Sequence, residues 1–154
     1  MPQVEDRNSG EPLVQLELSG GLPRRTLLYV EDNPANMELV GEIIAQLPDM
    51  KLVTAVNGTL GIELARSILP QVILMDINLP GISGIKALKI LRDDPATARI
   101  PVIALSANAM PGDIQKGLEV GFLRYLTKPI KIKEFTDTLR AALEFAEESV
   151  VQNN

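Results

Sequence analysis

Four short apolar runs in this chain each end on a residue type suited to moving a phosphoryl group. Leu27-Leu28-Tyr29-Val30 runs into Glu31-Asp32, Val72 to Met75 into Asp76, Val102 to Leu105 into Ser106, and Arg124 to Thr127 into Lys128-Pro129. Buried strands of a parallel sheet point one way, so the residues just past their ends collect at one edge. Three carboxylates, a hydroxyl and an ammonium gathered there would supply a divalent-metal pocket, a nucleophile, a hydroxyl donor and a fixed cation.

Each residue has a plainer reading when taken alone. Asp76, at the end of what reads as the central strand, can attack phosphorus to form an aspartyl phosphate; it also reads as a turn or capping aspartate. Glu31 and Asp32 are hard oxygen ligands of the kind Mg²⁺ takes, or caps at the positive end of the helix that follows. Ser106, followed by small Ala107, offers a hydroxyl to a phosphoryl oxygen or is a turn serine. Lys128 precedes Pro129, which restricts the backbone before it and aims the ammonium; otherwise it is a solvated surface lysine. The conjunction favours chemistry. Converging carboxylates without a cation raise one another's pKa values, whereas Mg²⁺ and Lys128 would relieve that conflict and hold a phosphoryl transition state.

The elements that position these residues alternate. After Leu27 to Val30, Asn33-Pro34 supplies a cap and a first-turn proline, and Met37, Val40, Ile44 and Leu47 recur at helical spacing up to Pro48. Lys51 to Val56 reads as a strand broken by the turn pair Asn57-Gly58. Leu60, Leu64, Ala65 and Ile68 mark a second helix. Val72 to Met75 is wholly apolar, as a strand covered on both faces should be. Ser83 caps a helix presenting Ile85, Leu88 and Leu91, closed by Asp93-Asp94-Pro95. Pro111 opens a fourth helix that stops at Gly121, Leu123 to Thr127 is the fifth strand, and Ile132, Phe135, Leu139, Leu143 and Ala146 build the last amphipathic helix. This pattern predicts an open doubly wound α/β fold, a five-stranded parallel sheet flanked by five helices, flavodoxin-like in layout. The domain should cover 26–147, between an N-terminal extension over 1–25 and a polar tail over 148–154. Within the extension, Leu13 to Leu18 partly alternates and permits one weak strand.

Composition narrows the function classes. The chain has 154 residues, enough for one domain with a sizeable core. It carries no Cys and no His, which excludes disulfides, thiolate catalysis, imidazole bases and phosphohistidine on this chain. A net charge of −5 is a poor match to a nucleic-acid surface. No apolar run approaches the ~18 residues of a membrane span, and the start is unlike a signal peptide. The expected setting is the cytoplasm.

The segments LLYVEDNPANMELV, VILMDINLPGISG, PVIALSANAMPGD and YLTKPI together closely resemble the receiver domain of two-component response regulators, in the right order and separation from Thr26 to Phe145. The likeness is to the receivers of hybrid sensor kinases and of single-domain regulators. The resemblance implies that Asp76 is the phosphoacceptor and that Asp32 and Asp76 hold Mg²⁺ directly. Glu31 would act through metal-bound water, and the Asn78 carbonyl would be a further ligand. Lys128 would grip the phosphoryl group, Ser106 and Tyr125 would form the switch pair, and Asn78 and Asn108 would tune the lifetime of the phosphate. It further implies a sensor histidine kinase and a histidine phosphotransfer protein as partners, no nucleic acid or membrane, and a homodimer through the face of the fourth helix, fifth strand and last helix. On that face, Leu123 and Tyr125 are expected to point to the same side as an exposed patch.

The chain departs from the family pattern in places. Glu31 replaces the commoner aspartate, Ser83 stands where the loop often has an acid, and Leu123 and Arg124 occupy places that are often acidic and bear on partner choice. Two other functions compete with a phosphorylated switch. One is a receiver-like interaction module that works without phosphate. The other is a Mg²⁺-dependent phosphohydrolase with an aspartyl nucleophile, whose usual D-x-D pair after the first strand is here Glu31-Asp32 with nothing between.

Overall fold

The computed structural model describes residues 24–108 and 110–152. Five strands, β1 (Arg25–Val30), β2 (Met50–Ala55), β3 (Val72–Asp76), β4 (Val102–Ser106) and β5 (Arg124–Thr127), alternate with five helices. The helices are α1 (Pro34–Ala45), α2 (Gly58–Ile68), α3 (Gly84–Asp93), α4 (Pro111–Val120) and α5 (Ile132–Gln152). All strand pairs are parallel, in the order β2-β1-β3-β4-β5. β3 is therefore central, and all five of its residues are buried.

Strand alternation divides the core in two. Leu27 and Tyr29 of β1, Val72 and Leu74 of β3, and Ile103 and Leu105 of β4 pack with Val40, Ile43 and Ile44 of α1 and with Phe135, Leu139 and Leu143 of α5. Their neighbours Leu28, Val30, Ile73, Met75, Val102 and Ala104 pack on the other side with Ile62 and Ala65 of α2 and with Ala87, Leu88 and Leu91 of α3. Adjacent residues of one strand thus feed opposite layers, the pattern of a sheet covered on both faces.

The helix starts are set locally. Asn33 Oδ1 accepts from the Asn36 amide at 3.1 Å, with Pro34 in the first turn, and Ser83 Oγ accepts from the Lys86 amide at 3.2 Å. Asn57-Gly58, expected as a turn, does the same work: Asn57 Oδ1 accepts from the Leu60 amide at 2.8 Å, and Gly58 opens α2. An asparagine that breaks a strand is also a good helix cap, and the short link to α2 uses it as one. α2 ends on Leu69 with φ of 48°, a left-handed conformation.

Several boundaries shift from the expectation. β1 begins at Arg25, whose guanidinium pairs with Asp49 and, at 3.1 Å, with Glu147. β2 stops at Ala55, and Val56 is exposed. Ile68 and Ile132, predicted to face the core, are exposed because each is a terminal residue of its helix, beyond the buried stripe. α5 continues to Gln152, so most of the stretch expected as a tail is helical. Leu13 to Leu18 lies outside the described residues. Among the described residues, no helix is long and apolar enough to cross a membrane.

Arg92, near the end of α3, reaches across two loops. Its Nη1 donates to the carbonyls of Ala98 at 3.1 Å and Ile100 at 2.9 Å, and its Nη2 to that of Gly121 at 3.2 Å.

Candidate functional site

Parallel register assembles the candidate residues. β1 and β3 align Val30 with Met75, so Glu31 follows beside Asp76. β4 pairs with β3 at Leu105 and Asp76, and with β5 at Ser106 and Thr127. The Lys128 amide then donates to the Ser106 carbonyl at 2.8 Å, which ties the fourth and fifth strand ends together. The Lys128–Pro129 peptide is cis.

Asp76 is 2% exposed. Its Oδ1 accepts from the Asn78 amide at 2.9 Å and its Oδ2 from Lys128 Nζ at 2.9 Å. The same ammonium lies 3.3 Å from Glu31 Oε1. Glu31, Asp32 and Asp76 each present an oxygen within 4.8 Å of the others. Glu31 is buried and Asp32 is exposed, so the cluster opens to solvent on the Asp32 side. A set of hard oxygen donors with an open side suits a divalent cation such as Mg²⁺, which keeps several waters.

The charges are strongly coupled. Burial pushes the Glu31 carboxyl above its ordinary pKa and neighbouring Asp76 adds to the rise, while the hydrogen bond from Tyr29 and the charge of Lys128 pull it back. Burial alone would lower Lys128, but its hydrogen bond to Asp76 and the charges of Asp76 and Glu31 outweigh that and leave it raised. Lys128 is therefore a fixed cation across physiological pH. It compensates two buried acids that would otherwise repel.

Ser106 and Tyr125 meet across a single residue. Ser106 is buried, and its Oγ accepts from the Asn108 amide at 3.0 Å. Half-buried Tyr125 donates its hydroxyl to the Asn108 carbonyl at 3.3 Å. Its ring lies on Gly117 of α4, where a Cβ would come within 2.7 Å of Tyr125 Cδ2. Asn78 and Asn108 themselves are exposed.

The patch expected from Leu123 and Tyr125 does not form. Leu123 is half-buried against the α1/α5 layer, whereas Tyr125 packs with the opposite layer. The strand starts only at Arg124, so the two-residue alternation does not extend back to Leu123, whose amide bonds the Val102 carbonyl. Tyr29 and Asn36 join the site although neither stands out in the sequence. Tyr29 donates to Glu31 Oε1 at 2.8 Å and Asn36 Nδ2 to the same oxygen at 3.4 Å. For Tyr29 the spacing carries a signal: Glu31 follows two residues later, and its amide continues the pairing of β1 by bonding the Ala55 carbonyl at 2.9 Å.

Known proteins combine this fold with similar sequence. The polar-differentiation response regulator DivK of Brucella anthropi is 38% identical over 119 residues, covering 77% of this chain and 96% of that protein. The receiver domain of a Pseudomonas aeruginosa PAO1 sensor histidine kinase, solved with magnesium in its active site cleft, is 31% identical. It has a TM-score of 0.72, covering 79% of this chain and 98% of that one. The chemotaxis response regulator CheY4 of Vibrio cholerae is 25% identical with a TM-score of 0.71, over 78% of this chain and 99% of that one. The model of the response regulator receiver domain matches residues 27–140. On that match and on its similarity to DivK, the chain belongs to the receiver domains of two-component response regulators.

Proposed function

We propose that Asp76 accepts a phosphoryl group from the phosphohistidine of a sensor histidine kinase, and that the loop carrying Ser106 and Asn108 conveys the change. The observation that carries this is the setting of Asp76: buried, and held by Lys128 Nζ and the Asn78 amide at 2.9 Å each, with Glu31 and Asp32 beside it. An Asp76 oxygen attacks phosphorus, the P–N bond breaks, and its electron pair returns to the donor imidazole. Glu31, Asp32, Asp76 and the Asn78 carbonyl would hold Mg²⁺, which would neutralise phosphoryl oxygens in the transition state. Lys128, already on Asp76 Oδ2, stays with the negative charge as it moves onto the phosphoryl group. Ser106 Oγ leaves the Asn108 amide to donate to a phosphoryl oxygen, which frees one of the two bonds holding Asn108 and alters the seat of Tyr125.

The protein then signals by binding a partner, or passes its phosphate to a histidine phosphotransfer protein. Asn78 and Asn108, both exposed, set how readily water reaches the acyl phosphate and so how long it lasts. The test is direct. Incubation with a small-molecule phosphodonor and Mg²⁺ should add one acid-stable, base-labile phosphoryl group, seen by intact mass. Asp76→Asn should take up none; equal uptake by that variant would move the acceptor elsewhere.

A further inference from the structure

Glu31 is held on both of its carboxylate oxygens. Its Oε1 accepts from Tyr29 OH at 2.8 Å and from Asn36 Nδ2 at 3.4 Å and pairs with the Lys128 ammonium at 3.3 Å, while Oε2 accepts from the Asn33 amide at 3.2 Å. The phenol is the nearest of these donors. It comes from the core, whereas the other three come from the half-buried or exposed rim. Tyr29 and Glu31 are both fully buried, two residues apart, with Glu31 just past the end of β1, where its amide still bonds the Ala55 carbonyl at 2.9 Å. A tyrosine there fills the layer against α1 and α5 as phenylalanine would. What phenylalanine could not do is donate to a buried carboxylate.

We infer that Tyr29 is a positioning residue for the acidic cluster: its phenol fixes the Glu31 carboxylate beside Asp32 and Asp76 for cation binding. The chain has glutamate at this position, one rotatable bond longer than aspartate, and a longer acid must lose more freedom to be held in one place. A charge-assisted bond from a rigid ring supplies that restraint from below. Carboxylates at metal sites are commonly held by such outer hydrogen bonds, and loss of one costs affinity. The inference rests on the reading of this cluster as a Mg²⁺ site serving Asp76.

Three measurements test it. Calorimetric titration of Tyr29→Phe with Mg²⁺ should show about tenfold weaker binding than wild type, the lower end of what outer hydrogen bonds to metal ligands are worth. In a Glu31→Asp background the shorter acid no longer reaches the phenol, so adding Tyr29→Phe should change affinity less than about twofold. A purely packing role would give the same loss in both backgrounds. The chain has two tyrosines and no tryptophan, so Tyr125→Phe leaves Tyr29 as the one near-ultraviolet reporter, and its absorbance should shift on Mg²⁺ addition. Equal affinity in Tyr29→Phe, equal losses in the two backgrounds, or a Tyr29 band indifferent to Mg²⁺ would each overturn the positioning role. A wild type that binds Mg²⁺ yet never phosphorylates Asp76 would overturn the proposed function and leave Tyr29 standing. A wild type that binds no Mg²⁺ would remove both.

Discussion

Gly84 sits directly against Asp76: a Cβ on Gly84 would fall 2.6 Å from the Asp76 carbonyl oxygen and 2.8 Å from Ile77 Cα. The start of α3 therefore touches the backbone that carries Asp76, and the Gly84 amide donates to the Ile77 carbonyl at 2.9 Å. Backbone cannot move aside as a side chain can. Gly84→Ala should destabilise the fold by about 2 kcal/mol, as overpacking does, and slow phosphorylation by displacing Asp76. Urea midpoints and phosphorylation rates would check both, and an unaltered midpoint would show the contact to be looser than described.

Asp32 and Ser106 should separate metal binding from phosphoryl contact. Asp32 is an exposed member of the acidic cluster, while Ser106 is buried and outside it. Asp32→Ala should weaken Mg²⁺ by at least about tenfold with little loss of stability. Ser106→Ala should leave Mg²⁺ affinity nearly intact and slow phosphorylation less. Calorimetry on both variants decides it, and equal Mg²⁺ affinity in the two would refute the ligand assignment.

Leu69 carries strain that the fold does not need. Its φ of 48° is left-handed, its side chain is 50% exposed, and its amide closes α2 on the Ala65 carbonyl at 3.0 Å. A left-handed residue with a Cβ costs about 1–2 kcal/mol, and glycine returns about 0.5–1 kcal/mol of that as chain entropy. Leu69→Gly should therefore stabilise by about 0.5–1 kcal/mol. A lower thermal midpoint in this variant would mean that the leucine packs more than its exposure implies.

Asp94 gives a pH-dependent increment with a defined sign. The Ala96 amide, with help from Arg66, holds its carboxyl below the usual range. A depressed native pKa adds stability above the unfolded value of about 3.9, and that stability is lost as pH falls through the native value. Wild type should therefore exceed Asp94→Asn in urea midpoint at pH 6, with the gap closing below about pH 4. A gap independent of pH would assign the difference to hydrogen bonding alone.

The sheet and most of the acidic edge are legible because β1, β3 and β4 each close on an apolar run cut sharply by a polar residue. Parallel pairing then leaves Asp76, Ser106 and Lys128 no other place to go. Asn33 and Ser83 are readable as caps from residue type, while Asn57 reads equally as a turn because the same side chain serves both. Tyr29 was hidden by its company, since a tyrosine inside Leu-Leu-Tyr-Val reads as core filler until its hydroxyl is traced. Leu123 was misplaced by a single-residue error in where β5 begins, enough to reverse a face. The Gly84 approach to Asp76 was beyond reach of the chain alone, because it depends on how closely α3 returns over the end of β3.

Arg92 gives α4 a fulcrum. One guanidinium holds carbonyls from the 98–100 segment and from Gly121, immediately after α4, whereas Met110, at the N-cap, makes no side-chain cap hydrogen bond. One end is moored by that guanidinium, and the other follows the segment whose Asn108 amide bonds Ser106 Oγ. A small displacement at Ser106 would therefore swing α4 about Gly121, so that its travel is greatest at the start of the helix and least at Arg92. The helix is a lever, and its long arm is the end that follows Ser106 in the chain.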